Sequence, residues 1–288
     1  MIPSGKTSDD RHRHQAYEMM IDYSQIAKTY DQASFRAVKE VDPILLVIAK
    51  ERSHVRVLDL ACGTGNYIRA QRQFIHNARF VGLDSSFSMI SHAKMKGLTE
   101  LAVANADLGL PFADGSMDYV VCRFGFHHFT NKFCVLKEIW RCLRRGGVLH
   151  MLDVDPHRNK NWWVYCLFPE LAAEDRRRFW ESSRLLTCLR DIGFEAYCRI
   201  ETGPEIMTKN TLLQRLRIRD TSQLHMIDQK SYESELRGVE CWPENMCLEG
   251  DYAFLSVTGK KTLTNIGQQA QGAGGPRPAG RASTQNRR

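Results

Sequence analysis

The stretch Val57-Leu58-Asp59-Leu60-Ala61-Cys62-Gly63-Thr64-Gly65-Asn66 limits what this chain can fold into more than any other. Val57 to Ala61 has the apolar character of a buried parallel strand, and Tyr67 to Ile75 can start a helix directly after the glycines. A glycine turn between the two lets a ligand approach the backbone where a side chain would collide, and it aims unpaired N–H groups at that ligand. A second apolar run, Arg79 to Leu83, ends in Asp84, about twenty residues beyond the glycines, where doubly wound nucleotide folds place an acid for ribose hydroxyls. A third run, Leu101 to Ala106, ends in Asp107. Successive strands that each finish on an acid predict a ligand site along one sheet edge. Position 68 is Ile, so the third glycine of the dinucleotide fingerprint is missing and a nicotinamide cofactor is disfavoured.

These segments resemble class I S-adenosylmethionine-dependent methyltransferases, together with Ser85-Ser86 and Met89 after Asp84 and with Leu110-Pro111-Phe112 after Asp107. The resemblance extends through Phe126-His127-His128-Phe129 and Leu143-Arg144-Arg145-Gly146-Gly147, and covers roughly Tyr23 to Lys261. It is to the small-molecule branch that includes the ubiquinone and menaquinone biosynthesis enzymes. It implies an α/β fold: a Rossmann-like, doubly wound, seven-stranded sheet, mostly parallel with an antiparallel last strand. The fuller N-terminal signature of the quinone enzymes is not found after Tyr30-Asp31, so quinone specificity is not carried over.

Hydrophobic spacing orders the remaining elements. Gln15 to Tyr30 predicts a helix with one apolar face, and Phe35 to Lys50 predicts a second, within which Pro43 can open a new helix after Val41-Asp42. Met117 to Cys122 is a fourth strand, ending at the Arg123 to Phe129 segment. A helix is predicted over Asn131 to Arg145, with Arg144 and Arg145 at its negative end and Gly146 as its left-handed cap. Val148 to Val154 is a fifth strand with Asp153 and Asp155 at its far end, and Ala172 to Asp191 a charged helix. Trp162, Trp163, Tyr165, Leu167 and Phe168 crowd between them, as core or as the wall of a substrate pocket. Phe194 to Ile200 and Asp251 to Gly259 make the sixth and seventh strands, separated by a helical insertion of about 205–250. Arg215, Arg217 and Arg219 spread around a helix there and read as a solvated surface, with an acidic substrate or RNA as the minority reading.

Residues 1–13 are polar and expected to be a disordered lead-in, residues 14–263 form the methyltransferase domain, and residues 264–288 form a disordered tail. The net charge of +7 is interleaved with acids along most of the chain, so no basic stripe announces nucleic acid. Nine cysteines with no Cys-x-x-Cys argue for reduced thiols in a cytoplasmic protein, against a disulfide framework and against a metal site. No run reaches the length of a membrane span.

The resemblance implies roles for individual residues. Gly63 and Gly65 pass beneath the methionine part of S-adenosylmethionine, with its carboxylate near the helix N-terminus, while Asp59 neutralises the ammonium. Asp84 holds the ribose hydroxyls as an acceptor-only group. Asp107 accepts from the adenine amino group, and Met89, Ala106 and Leu108 sandwich the ring. Arg123 offers its backbone carbonyl to the ammonium. Ala61 and Ser85 complete the set, with Tyr23 and Tyr30 from a helix laid across the site. His127 and His128 stand where a general base would sit. The acceptor implied is a small molecule, with an RNA substrate of the tRNA wobble-uridine type or a catalytically silent cofactor-binding scaffold as alternatives. The sequence leaves the acceptor atom and the oligomeric state open.

Overall fold

The structure, a computed structural model, describes residues 23–32 and 37–262. The lead-in, the tail and the first half of the helix expected over Gln15 to Tyr30 lie outside them. The elements in chain order are α1 (Tyr23–Thr29), α2 (Pro43–Lys50), β1 (Val55–Leu60), α3 (Asn66–Gln71), β2 (Ala78–Asp84) and α4 (Phe87–Met95). Next come β3 (Leu101–Val103), β4 (Met117–Arg123), α5 (Lys132–Cys142), β5 (Leu143–Val154), α6 (Trp163–Leu167) and α7 (Glu170–Arg178). The chain closes with α8 (Ser182–Ile192), β6 (Phe194–Thr208), α9 (Lys209–Ile218), α10 (Gln229–Glu240) and β7 (Cys247–Lys261).

The strands form one seven-stranded sheet in the order β3-β2-β1-β4-β5-β7-β6. β1 through β5 pair in parallel, and β7 runs antiparallel to both β5 and β6. The order reverses between β1 and β4, and an open α/β sheet binds ligands at the carboxyl ends beside that reversal. Helices cover both faces. α5 and α8 bury Val135, Leu136, Ile139, Leu185 and Leu189 on one, while α2, α3 and α4 bury Leu45, Ile48, Ile68, Ile90 and Ala93 on the other. Central strands buried on both sides read as continuous apolar runs, as β4 does with every residue from Met117 to Cys122 buried.

The structure corrects several expectations. The second helix starts only at Pro43, because Asp42 caps it through bonds from Ile44 N and Leu45 N at 3.0 and 3.2 Å. The helix after Asn131 stops at Cys142, so Gly146 caps no helix. Leu143 is already extended, and Arg144 pairs with buried Asp118 rather than with a helix end. The charged helix of 172–191 is two helices, interrupted where Phe179 and Trp180 turn inward.

β6 and β7 are each fifteen residues long, paired from Phe194↔Lys261 to Thr208↔Cys247. Since β5 follows β7 only as far as Phe254, the rest of this hairpin is an arm that leaves the sheet and carries α9 and α10. The arm's helices pack with α6 and α1 into a separate apolar cluster. Trp163 and Phe168 are buried in that cluster, so most of the aromatic run after β5 is core, and Trp162 alone of the run also lines the cavity described next.

Candidate active site

A cavity of about 590 Å³ opens at the carboxyl ends of the parallel strands, roofed by α1 and by the hairpin arm. Asp59, Ala61, Gly63, Asp84, Ser85 and Met89 line it. So do Ala106, Asp107, Arg123, Tyr23, Tyr30 and the pair His127 and His128. Two expected members do not. Leu108 is 88% exposed and points to solvent at the end of a short 3-10 turn, so the sandwich for the adenine ring loses that side. Gly65 sits beneath the loop at φ +75°, and a Cβ there would meet Leu98 Cδ1 at 2.2 Å. Its task is to let the loop pack on Leu98 and Ala93; Gly63 is the glycine that faces the cavity.

Asp84 ties the first two strands together. Gly63 N–H donates to Oδ2 and Ser86 N–H to Oδ1, each at 2.8 Å, which fixes the carboxylate while leaving lone pairs on both oxygens for hydroxyl donors. Burial pushes its pKa up, and the amides of Ser86, Gly63 and Ser85 pull it back down only in part. Asp107 is fixed in the same manner by Asn131 N at 2.8 Å and Thr130 N at 3.1 Å.

Asp59 is different. It is 2% exposed, and its Oδ2 has no hydrogen-bond partner among the described residues. Burial raises its pKa to about 8, against a lowering contribution from Arg123 and with a further rise from Asp84. A buried carboxylate without a partner is costly, and a cationic ligand group at this point removes the cost. The site as built therefore fits a ligand with an ammonium at β1 and vicinal hydroxyls at β2.

The roof is latched. Tyr30 lays its ring over Gly63, and the neighbouring Asp31 accepts from Thr64 Oγ1 at 2.7 Å and Asn66 Nδ2 at 2.8 Å while pairing with Lys96. Burial alone would raise the Asp31 pKa, but these bonds hold it below the usual carboxylate value. The start of α3, where the cofactor carboxylate was expected, is thus met by a side chain of the chain itself, and α3 is only six residues long. Replacing Asp31 with alanine should cost about 1 kcal/mol or less, as a partly exposed pair does. It should also speed amide exchange in Tyr23–Thr29 selectively. Exchange unchanged there, measured by hydrogen–deuterium mass spectrometry, contradicts the latch.

The two histidines are not equivalent. His127 is stacked on Phe179 at 4.1 Å and tilted by 44° against His128 at 3.9 Å, with Nδ1 2.9 Å from Asp153 Oδ2 and a buried Nε2 lacking a partner among the described residues. Burial drives the His127 pKa well below its usual value and raises that of Asp153 to about 7. His128 has both ring nitrogens engaged: Arg178 donates to Nδ1 at 3.3 Å, so Nε2 carries the proton and donates to Tyr23 Oη at 2.7 Å. In that tautomer the Nδ1 lone pair is engaged by Arg178, whereas His127 keeps a ring nitrogen with no partner among the described residues. Arg178 is itself buried at 1% exposure and held by Asp175, which also accepts from Tyr165 and Gln223.

The sequence reading missed the groups that close the other side of the cavity. Phe124, Phe179, Tyr252 and Phe254 supply aromatic surface, and Glu205, Arg215 and Gln223 supply polar groups from the arm. Arg215 is no surface residue: it pairs with Glu205 and Asp220 and lies over the Trp163 ring at 4.6 Å. Arg217 pairs with Glu240, and Arg219 donates to Gln229, so the three arginines form no basic row. Asp153 is visible in the sequence at the tip of the fifth strand but carries no role there; Arg178 and Arg215 carry no such signal, since only tertiary packing turns them inward.

A sheet reversal, a glycine bend and acids at adjacent strand tips define an α/β protein built for an adenosyl ligand. A family profile described as a methyltransferase domain matches residues 58–151. A demethylmenaquinone methyltransferase of Bacillus pumilus is 30% identical over 194 residues, 59% of this chain and 82% of that protein. One of Thermus thermophilus is 36% identical over 143 residues, 46% of this chain and 64% of that protein. The chain aligns with between 44 and 64% of the length of the Thermus, Thermotoga and Deinococcus relatives. The YcgJ protein of Bacillus subtilis shares the fold, with a TM-score of 0.53 at 19% identity over 76% of this chain and 97% of that one. The chain belongs to the class I S-adenosylmethionine-dependent methyltransferases, on the branch of the menaquinone enzymes.

Proposed function

We propose that this protein transfers the methyl group of S-adenosylmethionine to a small, largely apolar acceptor. The observation that carries the proposal is Asp59: a buried carboxylate oxygen without a partner among the described residues, lining the same cavity in which Asp84 and Asp107 are held ready by backbone amides. Asp59 would take the cofactor ammonium, Asp84 the ribose hydroxyls and Asp107 the adenine amino group, with Met89 and Ala106 against the ring. Bound there, the cofactor supplies an activated methyl group on a sulfonium. The protein's contribution is placement, and an aligned nucleophile can lower the barrier by ~7–11 kcal/mol.

The aromatic wall of Phe124, Phe179, Tyr252 and Phe254 suits a flat apolar acceptor, and Glu205, Arg215 and Gln223 offer it polar handles. An acceptor of the kind named for the demethylmenaquinone relatives fits that description. Where the nucleophile must lose a proton, His127 backed by Asp153 is the group to take it. As pH rises through about 7 Asp153 ionises, His127 Nδ1–H donates to it, and Nε2 becomes a lone pair. Turnover should therefore rise with pH across that range. His127→Ala should lower turnover about 100-fold, within the range of a general base, with cofactor affinity changed less than about threefold. Equal losses in turnover and affinity, or neither, refute the base role. The cysteines among the described residues are free, which fits a reducing cytoplasmic location, and no helix among the described residues is long and apolar enough to cross a membrane. Incubating the full chain with methyl-labelled cofactor and fractionated cell extract tests the activity. Label in a small apolar metabolite is expected, and label only in RNA or in no fraction overturns the proposal.

A further inference from the structure

The cavity is lined by two guanidinium groups, and they differ. Arg215 carries ion pairs to Glu205 and Asp220. Arg123 makes no side-chain hydrogen bond or ion pair to any described residue; its guanidinium lies 5.8 Å from the centre of the Tyr67 ring and 6.0 Å from that of Phe124. The Arg123 charge reaches Asp59 and lowers its pKa, yet no ion pair joins the two, so the guanidinium and the buried Oδ2 of Asp59 both stand without a hydrogen-bond partner among the described residues.

The sheet places the two side by side. β1 and β4 are parallel neighbours with Asp59 opposite Val121, so Arg123 is two residues further along and its side chain leaves the same face of the sheet. Two residues of strand are about 6.6 Å, within reach of a long arginine side chain, yet Asp59 Oδ2 is left unpartnered among the described residues, and one small ion can bridge the two. The head of an α-amino acid is such an ion: its ammonium nitrogen and carboxylate carbon are about 2.5 Å apart and of opposite sign. The positive group belongs at Asp59, which leaves the negative one toward Arg123. Beside the alternative place for a carboxylate, the start of α3, Asp31 accepts from the side chains of Thr64 and Asn66 and pairs with Lys96, which sets a negative charge next to that position.

We propose that Arg123 is the counter-ion for the carboxylate of the cofactor's amino-acid head, so that the tips of β1 and β4 form a single clamp for a zwitterion. The inference rests on the cofactor reading above and adds a residue role to it. Arg123 acts through its side chain here, where the sequence had suggested only its backbone carbonyl.

Calorimetric titration with three adenosyl ligands tests it: S-adenosylhomocysteine, which carries both charges, its decarboxylated analogue, which keeps only the ammonium, and 5′-methylthioadenosine, which has neither. The unaltered chain should bind S-adenosylhomocysteine about 30- to 100-fold more tightly than the decarboxylated analogue, the range for a charge-assisted bidentate contact in a desolvated site. Arg123→Gln should remove that preference, bringing the first ligand to the affinity of the second and leaving the other two within about twofold of the parent. Retained binding of 5′-methylthioadenosine shows that the variant is folded. Should Arg123→Gln prove unfolded, a preference below about threefold in the parent chain alone overturns the proposal. It is also overturned if the variant keeps the parent's preference, as it would were Arg123 reserved for an anionic acceptor, or if all three ligands weaken alike. Failure of the parent to bind any of the three removes the cofactor reading and this proposal with it, whereas a persisting preference in the variant removes this proposal alone.

Discussion

Asp59→Asn should yield a protein that is more stable than its parent in the ligand-free state at pH 8 and binds S-adenosylmethionine about 100-fold more weakly, as expected when one partner of a buried charge pair is removed. Both effects have one cause. Asp59 is buried without a partner on Oδ2 among the described residues, and burial raises its pKa to about 8 from an ordinary value of 3.8. Between those values the folded chain holds a proton that the unfolded chain has released. The unfolded state then binds fewer protons, so stability falls as pH rises from about 4 to 8 and levels off above. Asparagine occupies the same volume and cannot ionise, so the variant should lose less stability over that range. Asp153, with its pKa raised to about 7, and Asp175, raised to about 6, add their own share and keep some slope in the variant. Melting curves of both proteins at pH 5 and pH 8, without ligand, measure the difference. Parallel shifts in parent and variant contradict the assignment of the missing partner to Asp59.

The second large effect falls on stability and separates the two glycines of the bend. Gly65→Ala should destabilise the fold by about 2–5 kcal/mol, the sum of a left-handed residue and an overpacked contact. The backbone there stands at φ +75°, and the new methyl would lie 2.2 Å from Leu98 Cδ1 and 3.4 Å from Ala93 Cβ. Leu98 is buried and has little room to retreat. Trimming it with Leu98→Ala in the same chain should recover part of the Gly65→Ala loss relative to Leu98→Ala alone, a coupling that independent sites would not show. Gly63→Ala meets only the Tyr30 ring at 3.7–3.8 Å, an ordinary contact, and should cost about 1–2 kcal/mol through its φ of +54° alone while narrowing the cavity. Urea denaturation of the variants decides the matter. If Gly63→Ala proves the more destabilising of the pair, the assignment of packing to Gly65 and cavity to Gly63 is wrong.

Much of the scaffold was legible because it rests on local patterns. The bend at Cys62 to Gly65, the acids at Asp59, Asp84 and Asp107, and the buried runs of β1, β2 and β4 each follow from residues adjacent in sequence, and the structure gathers those acids around one cavity. What was misread depends on partners distant in the chain. Arg144 looked like a helix-ending charge because its partner, Asp118, lies on another strand. Arg215 looked solvated because Glu205, Asp220 and the Trp163 ring come together only when the β6–β7 arm folds over the sheet. Leu108 was expected from the resemblance as one side of the adenine sandwich, yet at the end of the 3-10 turn of Ala106–Leu108 it faces solvent. The histidine pair was visible as a motif, but which member keeps a lone pair depends on Asp153 and Arg178, contributed from β5 and α7.

The clearest test is an isothermal titration of the full chain with S-adenosylhomocysteine, run beside Asp84→Ala. Saturable heat at about one ligand per chain, with a dissociation constant at or below about 10 µM in the parent and a rise of about 100-fold in the variant, is the predicted result. The absence of heat in the parent, or equal affinity in parent and variant, contradicts the claim that the strand tips of β1 and β2 hold the adenosyl cofactor.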